Sequence, residues 1–246
     1  MILILLLSII NILQGLIVYI LTRKRDDSHN YKHMMRVWKN ATEIIFYEDI
    51  IYLLFYQLFL FLILDFYQFL IINEIYILFN YPLKKIYLVN GICWFHDLCD
   101  YKYNDISFNT LNFLTKIFYF FEPQFNLALK SISYSKEKEN FRWYEKYLNY
   151  HLLIARDIAS DADKLDTLGK DAFDRAYQYS VNQRKDRNEK QHYEKSIEIC
   201  NDRYDKLLKD RYIKTNYGRK RGFYLLKVSN SILINKIRYY DENYNN

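Results

Sequence analysis

Residues 2–21 read ILILLLSIINILQGLIVYIL, a nearly unbroken apolar run at the start of the chain. Twenty helical residues match the hydrocarbon core of a bilayer, which is roughly 30 Å thick. The basic residues Arg23, Lys24 and Arg25 follow almost at once, and such residues favour the inner side of a membrane. We therefore predict a transmembrane anchor over residues 1–22, with the N-terminus outside and residue 23 inside.

A second apolar block, rich in aromatic residues, follows a polar inner-side segment at 23–49. We predict that residues 50–122 are helical and embedded in the membrane. Gln57, Asp65 and Gln68 interrupt this block at spacings of eight and three, so they share one helix face. A charge that faces lipid costs about 2.5–3.5 kcal/mol. We expect these three side chains to contact a neighbouring helix, and a proton relay through Asp65 is the alternative.

Residues 123–246 are predicted to form a charged helical domain outside the membrane. Five of the seven alanines in the chain fall between positions 155 and 176. Small and apolar residues recur in steps of three and four, a pattern typical of closely packed helices; they are Ala155, Ile158, Ala162, Leu165, Gly169, Ala172 and Ala176. Residues 137–212 are expected to form one or two long helices. A polar break at 182–192 favours a hairpin over a rod.

The predicted fold class is therefore all-α, with one to three N-terminal transmembrane or membrane-embedded helices followed by long charged helices. The five glycines are too few and too scattered for a phosphate-binding loop. Cys93, His96, Cys99 and Asp100 form a metal-like cluster, but tetrahedral zinc needs closer cysteine pairs than this spacing provides. We expect no catalytic residue, no cofactor, no metal and no small-molecule substrate.

Arg219, Lys220 and Arg221 form the densest basic patch of the second half, between Gly218 and Gly222. The net charge of the whole chain is only +6, and acidic residues are interspersed with basic ones. Proteins that coat nucleic acid cluster more positive charge on one face. The patch is either a solvated helix face or a contact for phosphates of lipid or RNA, and we do not expect nucleic acid as the main partner.

The amino-acid composition carries a resemblance of its own. The chain has 26 Tyr and 17 Phe, but only two Pro and five Gly, which is the bias of an AT-rich gene. Together with the uncut apolar start and the polar residues within apolar runs, it resembles the divergent reading frames of protist mitochondrial genomes, of the ciliate type in particular. The resemblance implies a mitochondrial inner-membrane protein that belongs to a large complex and contacts the lipid bilayer.

Within that group, the layout is similar to ATP synthase subunit b, an N-terminal anchor followed by a long charged helix of the peripheral stalk. Residues 2–21, Arg23–Arg25 and residues 144–179 carry the similarity. The charged half would then lie in the matrix. The block at 50–121 departs from this layout, because a single crossing there would place the charged half on the opposite side.

We thus expect a non-catalytic structural subunit of a mitochondrial energy-transducing complex that supports proton-driven ATP synthesis. An accessory subunit of a respiratory-chain complex is one alternative, and a mitochondrial ribosomal protein is another. A spanning protein resists extraction by alkali, whereas an RNA-bound protein does not, and this difference separates the classes.

Overall fold

The computed structural model describes residues 2–25, 30–50, 83–98, 108–119, 121–132, 134–183, 187–209 and 211–244. All regular secondary structure within these ranges is helical, so the prediction of an all-α fold is confirmed. The chain divides into two compact units, Met1–Ser160 and Asp161–Asn246. The division falls inside a helix.

The first unit begins with α1 (Ile2–Thr22) and α2 (Tyr31–Ile45), which ends in one π-helical turn, Phe46–Ile50. Its other helices are α3 (83–95), α4 (Phe108–Tyr119), α5 (Phe125–Ser131), α6 (Tyr134–Glu139) and the start of α7 (Tyr150–Asp166). Apolar residues recur on the buried side of α2 in steps of three and four, namely Met34, Val37, Ala41 and Ile44. Residues 91–95, at the C-terminal end of α3, are all buried.

Aromatic side chains hold α1, α2 and α3 together. The Trp94 ring on α3 stacks on Tyr31, with ring centroids 5.6 Å apart, and on Trp38 at 6.2 Å. The Trp38 indole N–H donates to the Asn90 side-chain oxygen at 2.9 Å. Each indole therefore contributes apolar area while its N–H group is bonded.

The sequence predicts a membrane span at residues 2–21, and α1 does form a helix over this segment. In the described ranges, however, no helix satisfies the length and hydropathy that a crossing requires. One side of α1 packs against protein through Gln14 and Val18, which are both fully buried. The helix is thus confirmed, whereas the span is not found.

The second unit contains the end of α7 followed by α8 (Lys170–Gln183), α9 (Glu189–Tyr204, with a π-helical turn at Asp205–Lys209) and α10 (Asn216–Tyr244). Helices α8 and α9 pack against each other as a hairpin. Phe173 stacks on Tyr193 with ring centroids 6.0 Å apart, and Tyr177 lies 4.9 Å from the same ring. Asn188 caps α9 in a capping box with Gln191. The helix therefore begins within the predicted polar break at 182–192.

The prediction of one or two long helices over 137–212 is wrong. Residues 141–147 form turns, where Arg142 has a φ of 57°. Gly169 separates α7 from α8 with a φ of +91°, a backbone conformation that glycine adopts without steric penalty. A pattern that continues in steps of three and four does not reveal such a break, because the same small residues also suit a tight turn.

Candidate functional site

The inner face of α1 is fitted closely to α3 and α4. The Trp94 indole N–H donates to the Asn11 side-chain oxygen at 2.7 Å. A Cβ added at Gly15 would lie 3.2 Å from the Trp94 ring, so glycine allows the ring to lie against the helix backbone. Gln14 Nε2 donates to the Tyr119 hydroxyl at 2.7 Å. The polar side chains of this face are bonded to protein.

The outer face of α1 is apolar and exposed over almost its whole described length. The exposed residues recur in steps of three and four and so form one stripe; they are Leu6, Ile9, Ile12, Leu13, Leu16, Tyr19 and Ile20, with exposed fractions between 45% and 67%. Isolated exposed apolar residues are ordinary on soluble proteins, whereas a continuous stripe marks a contact surface. We call it the α1 outer face.

The C-terminal end of the α1 outer face adjoins positive charge. Tyr19 is exposed near this end, and Arg23 and Lys24 are exposed just beyond it. An aromatic ring and basic side chains beside an apolar stripe are typical of the headgroup level of a membrane.

Arg25 does not belong to this exposed charge, although the sequence groups it with Arg23 and Lys24. Its side chain is buried. The guanidinium group donates to the carbonyl of Asp97 at 2.7 Å and to that of Leu98 at 2.9 Å. Arg25 therefore fixes the turn that follows α3, and the predicted three-residue basic flank is corrected to two exposed charges.

Beside that turn, His33, His96 and Asp97 bring their ligand-type atoms within 4.8 Å of one another. His33 Nε2 lies 3.3 Å from Asp97 Oδ2, and His96 Nε2 lies 3.5 Å from the same oxygen. Among the residues that the structure describes, these three are the group whose side chains could hold a metal ion. Of the predicted cluster, the structure describes Cys93 and His96, and His96 belongs to this group. Cys93 is buried, and its backbone carbonyl lies against the His96 ring.

The first unit also buries an arginine completely. Arg156 Nη2 lies 3.3 Å from Glu137 Oε2, and Nη1 donates to Asp157 at 2.9 Å and to the Tyr144 hydroxyl at 2.6 Å. Its Nε donates to the Ser131 hydroxyl at 3.2 Å. Burial raises the pKa of the Tyr144 hydroxyl well above its usual value. Because the charge is paired and its donors are bonded, this network is structural rather than reactive.

The second unit buries a carboxylate. Asp161 on α7 accepts the backbone N–H of Lys214 at 2.8 Å and that of Thr215 at 2.6 Å, immediately before α10 begins. Burial raises its pKa to about 6, against the lowering effects of Lys164 and of these hydrogen bonds. A Cβ at Gly218 would lie 3.3 Å from the carboxylate. Asp161 therefore anchors the start of α10.

The alanine stripe of the sequence lies on two helices instead of one. All its members are buried, with Ala155, Ile158, Ala162 and Leu165 on α7, Gly169 in the turn, and Ala172 and Ala176 on α8. The stripe is therefore divided at Gly169 between two helices.

The predicted basic patch lies in the first turns of α10. Lys220 is exposed, whereas Arg219 and Arg221 are half-buried. Arg219 donates to the Asn216 side chain at 2.6 Å, and the Arg221 guanidinium lies over the Tyr224 ring at 5.2 Å. Two of the three charges are thus engaged on their own helix.

The predicted membrane-contact residues Gln57, Asp65 and Gln68 lie outside the described residues. Cys99 and Asp100 of the predicted metal-like cluster do so as well. The expectation for the first three stays a prediction.

Sequence reasoning missed the buried charges of α7 and the pairing of His33 with Asp97. Asp161 had a usable signal, because it lies three residues after Ile158 and four before Leu165, on the apolar side of a predicted helix. His33 and Asp97 had none, since only the fold brings α2 beside the turn after α3.

Comparison with known proteins found no matching family profile, no similar curated protein and no similar solved structure.

Proposed function

We propose that this chain is a non-catalytic structural subunit of a mitochondrial inner-membrane complex, with the α1 outer face in contact with lipid. The complex we favour is the ATP synthase, in its membrane region or peripheral stalk, with the charged C-terminal half in the matrix. The observation that carries the proposal is the exposed apolar stripe from Leu6 to Ile20. The choice of complex rests on the sequence resemblance.

The two faces of α1 support contact with lipid on one side only. The inner face is bonded to protein through Asn11 and Gln14. The outer face is apolar apart from the Tyr19 hydroxyl near its C-terminal end. It runs for about 21 Å along the helix at 1.5 Å per residue. Burying exposed apolar side chains in lipid is favourable by roughly 25 cal/mol per Å².

The positive charge beside this face supports the same occupant. Arg23 and Lys24 are exposed immediately after α1. Each basic residue near an anionic membrane surface adds about 1 kcal/mol of attraction. An apolar protein partner would not interact favourably with the two charges, whereas anionic lipid headgroups would attract them.

The remainder of the chain suits a scaffold. Arg156 and Asp161 are buried, and their polar atoms are engaged by side chains or by backbone N–H groups. Burial raises the pKa of the Cys200 thiol, which keeps it in the unreactive protonated form. These groups stabilise helices, which is the work expected of a subunit that holds others in place.

The double substitution Ile12→Glu with Leu16→Glu tests the lipid contact. Both side chains are exposed, so the fold should persist while the apolar stripe is interrupted by two charges. We expect the natural chain to stay in the membrane pellet after alkaline carbonate treatment of organelles, and the double variant to be extracted. The purified natural protein should float with vesicles, more strongly when these contain an anionic lipid.

Tyr150→Glu is the matched control, because Tyr150 is an equally exposed aromatic residue of α7 in the same unit. It should remain in the pellet. Extraction of the natural chain by carbonate, or retention of the double variant, would contradict the proposal.

The partner complex is tested by native electrophoresis after mild detergent release, followed by mass spectrometry of the co-migrating proteins. Migration with ATP synthase subunits supports the favoured assignment. Migration with respiratory-chain subunits replaces it with the accessory-subunit alternative. Migration with ribosomal proteins replaces it with the ribosomal alternative, for which the exposed Lys220 on α10 is the specific observation.

A further inference from the structure

We propose that His33, His96 and Asp97 bind a divalent transition-metal ion of the zinc class. The site lies between the start of α2 and the turn that follows α3, within the first unit. Two imidazole nitrogens and one carboxylate oxygen are the donor set, and a water molecule completes the tetrahedron. The inference is independent of the proposed function, since neither requires the other.

The distances fit a metal better than they fit direct hydrogen bonds. In a tetrahedral zinc site, bonds of about 2.0–2.1 Å place neighbouring ligand atoms about 3.3 Å apart. His33 Nε2 and His96 Nε2 lie 3.3 and 3.5 Å from the same oxygen, Asp97 Oδ2. A charge-assisted hydrogen bond between imidazolium and carboxylate is shorter, at about 2.7–2.9 Å.

The orientation of His96 directs a lone pair at the carboxylate. Its Nδ1 lies 2.9 Å from the carbonyl oxygen of Cys93. A carbonyl only accepts hydrogen bonds, so Nδ1 carries a hydrogen and the neutral ring has its lone pair on Nε2. In the neutral ring that lone pair points towards Asp97 Oδ2, 3.5 Å away, where a bound cation would lie between the two ligand atoms. Metal-binding histidines commonly donate their second N–H to a carbonyl in this way.

His33 is held from the helix end. It lies in the first turn of α2, where the Asn30 side chain caps the helix by accepting the backbone N–H of Lys32 at 2.8 Å and that of His33 at 3.4 Å. The His33 side chain is 5% exposed, and its ring lies 5.5 Å from the His96 ring. Burial and the cap leave the His33 ring little freedom, which lowers the entropic cost of binding an ion.

Arg25 holds the third ligand in place through the backbone. Its guanidinium group donates to the carbonyls of Asp97 and Leu98, so the turn is fixed by the end of α1. The Asp97 side chain is 20% exposed, whereas that of His96 is 3% exposed. The carboxylate side therefore offers both an entry path for the ion and room for the bound water.

The donor set limits which ions fit. Imidazole with carboxylate suits Zn²⁺, Co²⁺, Ni²⁺, Cu²⁺ and Fe²⁺, whereas Mg²⁺ and Ca²⁺ prefer oxygen ligands throughout. Three protein ligands leave one coordination position for water. Because the imidazoles must be neutral to bind, affinity should fall as the solution is acidified.

The test uses the full chain in mild detergent, stripped with a chelator and titrated with Zn²⁺ against a chromophoric competitor. We expect one ion per chain and a rise in the thermal unfolding midpoint that a chelator reverses. Co²⁺ should give the visible absorption of a tetrahedral site with nitrogen and oxygen ligands. Asp97→Asn, His33→Gln and His96→Gln should each weaken Zn²⁺ binding by more than the roughly 10–100-fold that loss of an outer-shell partner costs.

His151→Gln is the control, because His151 is a partly buried histidine of α7 outside the cluster. It should bind Zn²⁺ as the natural chain does, and circular dichroism should show that the site variants remain helical. Three results would overturn the proposal. They are less than one ion per chain, equal affinity in Asp97→Asn, and a thiolate-to-cobalt charge-transfer band, which would place the ion on cysteine.

Discussion

Helices α1 and α7 both bury polar side chains, but their opposite faces meet different surroundings. In α1 the polar residues Asn11 and Gln14 face protein, while the apolar residues face outward. In α7 the charged residues Arg156 and Asp161 face inward together with the alanines. Apolar residues recur in steps of three and four in both helices, yet this stripe is exposed in α1 and buried in α7.

The contrast lies in what satisfies each buried polar atom. Asn11 and Gln14 each meet one aromatic partner, a neutral hydrogen bond worth about 0.5–1.5 kcal/mol. Arg156 meets several side chains in the first unit, and Asp161 meets two backbone N–H groups in the second. A buried charge without such partners is far more costly than a buried amide. Whether a polar side chain can be buried therefore depends less on its position along the apolar stripe than on the hydrogen-bond partners that the fold supplies.

The largest effect should come from Arg156→Ala, which leaves Glu137 buried without its guanidinium partner. We expect the free energy of unfolding to fall by about 3–5 kcal/mol, measured by denaturant titration of tryptophan fluorescence. All three tryptophans, Trp38, Trp94 and Trp143, lie in the first unit, so the signal reports on the unit that contains Arg156.

Two companion variants make this measurement decisive. Lys39→Ala, an exposed residue of α2 in the same unit, should change the free energy of unfolding by no more than about 0.5 kcal/mol. Glu137→Leu combined with Arg156→Met should recover part of the loss, because both charges of the pair are then removed. A loss below about 1 kcal/mol for Arg156→Ala would show that its charge is not needed.

The second effect concerns Asp161 and pH. Its pKa is raised to about 6, from 3.8, so the folded state holds the proton more tightly than the unfolded state. Stability therefore falls as pH rises through this window, by up to about 3 kcal/mol. In the Asp161→Asn variant, the free energy of unfolding should no longer fall with rising pH in this window. Urea titrations followed by circular dichroism at several pH values measure it. The exposed control Asp202→Asn should keep this pH dependence, and an unchanged pH dependence in Asp161→Asn would refute the assignment.

The smallest effect should come from Gln14→Leu on α1. Gln14 Nε2 donates to Tyr119, but its Oε1 is buried without a partner in the described part of the chain. Leucine removes that unbonded oxygen, and the Tyr119 hydroxyl still donates to the Tyr87 carbonyl at 3.2 Å. We expect a change within about 1 kcal/mol. A loss as large as that of Arg156→Ala would remove the contrast between the two helices.

Some features of the fold follow from local sequence. The apolar run at 2–21 predicts α1, and the polar stretch at 182–192 predicts the end of α8 and the start of α9. Both depend on interactions between residues a few positions apart, which sequence patterns report well. The break at Gly169 was not predicted, because a small residue in a packing stripe and a glycine in a turn look the same in sequence.

The candidate sites were harder to predict. The Arg23–Arg25 flank reads as one basic cluster, yet Arg25 folds back to bond the turn after α3. His96 lies between two cysteines in the sequence, although the partners that the fold supplies are Asp97 and His33. Nothing in the spacing of His33 and Asp97 predicts their contact, because it depends on the packing of α2 against the segment that follows α3.

Composition and neighbours along one helix are enough to predict the helical class, the apolar character of residues 2–21 and the concentration of charge after residue 123. The packing of the helices is needed to establish which side of α1 faces outward, which charges are buried and which residues approach the Asp97 carboxylate. Those outcomes depend on contacts between residues far apart in the chain, where the available partners determine whether a polar atom can be buried.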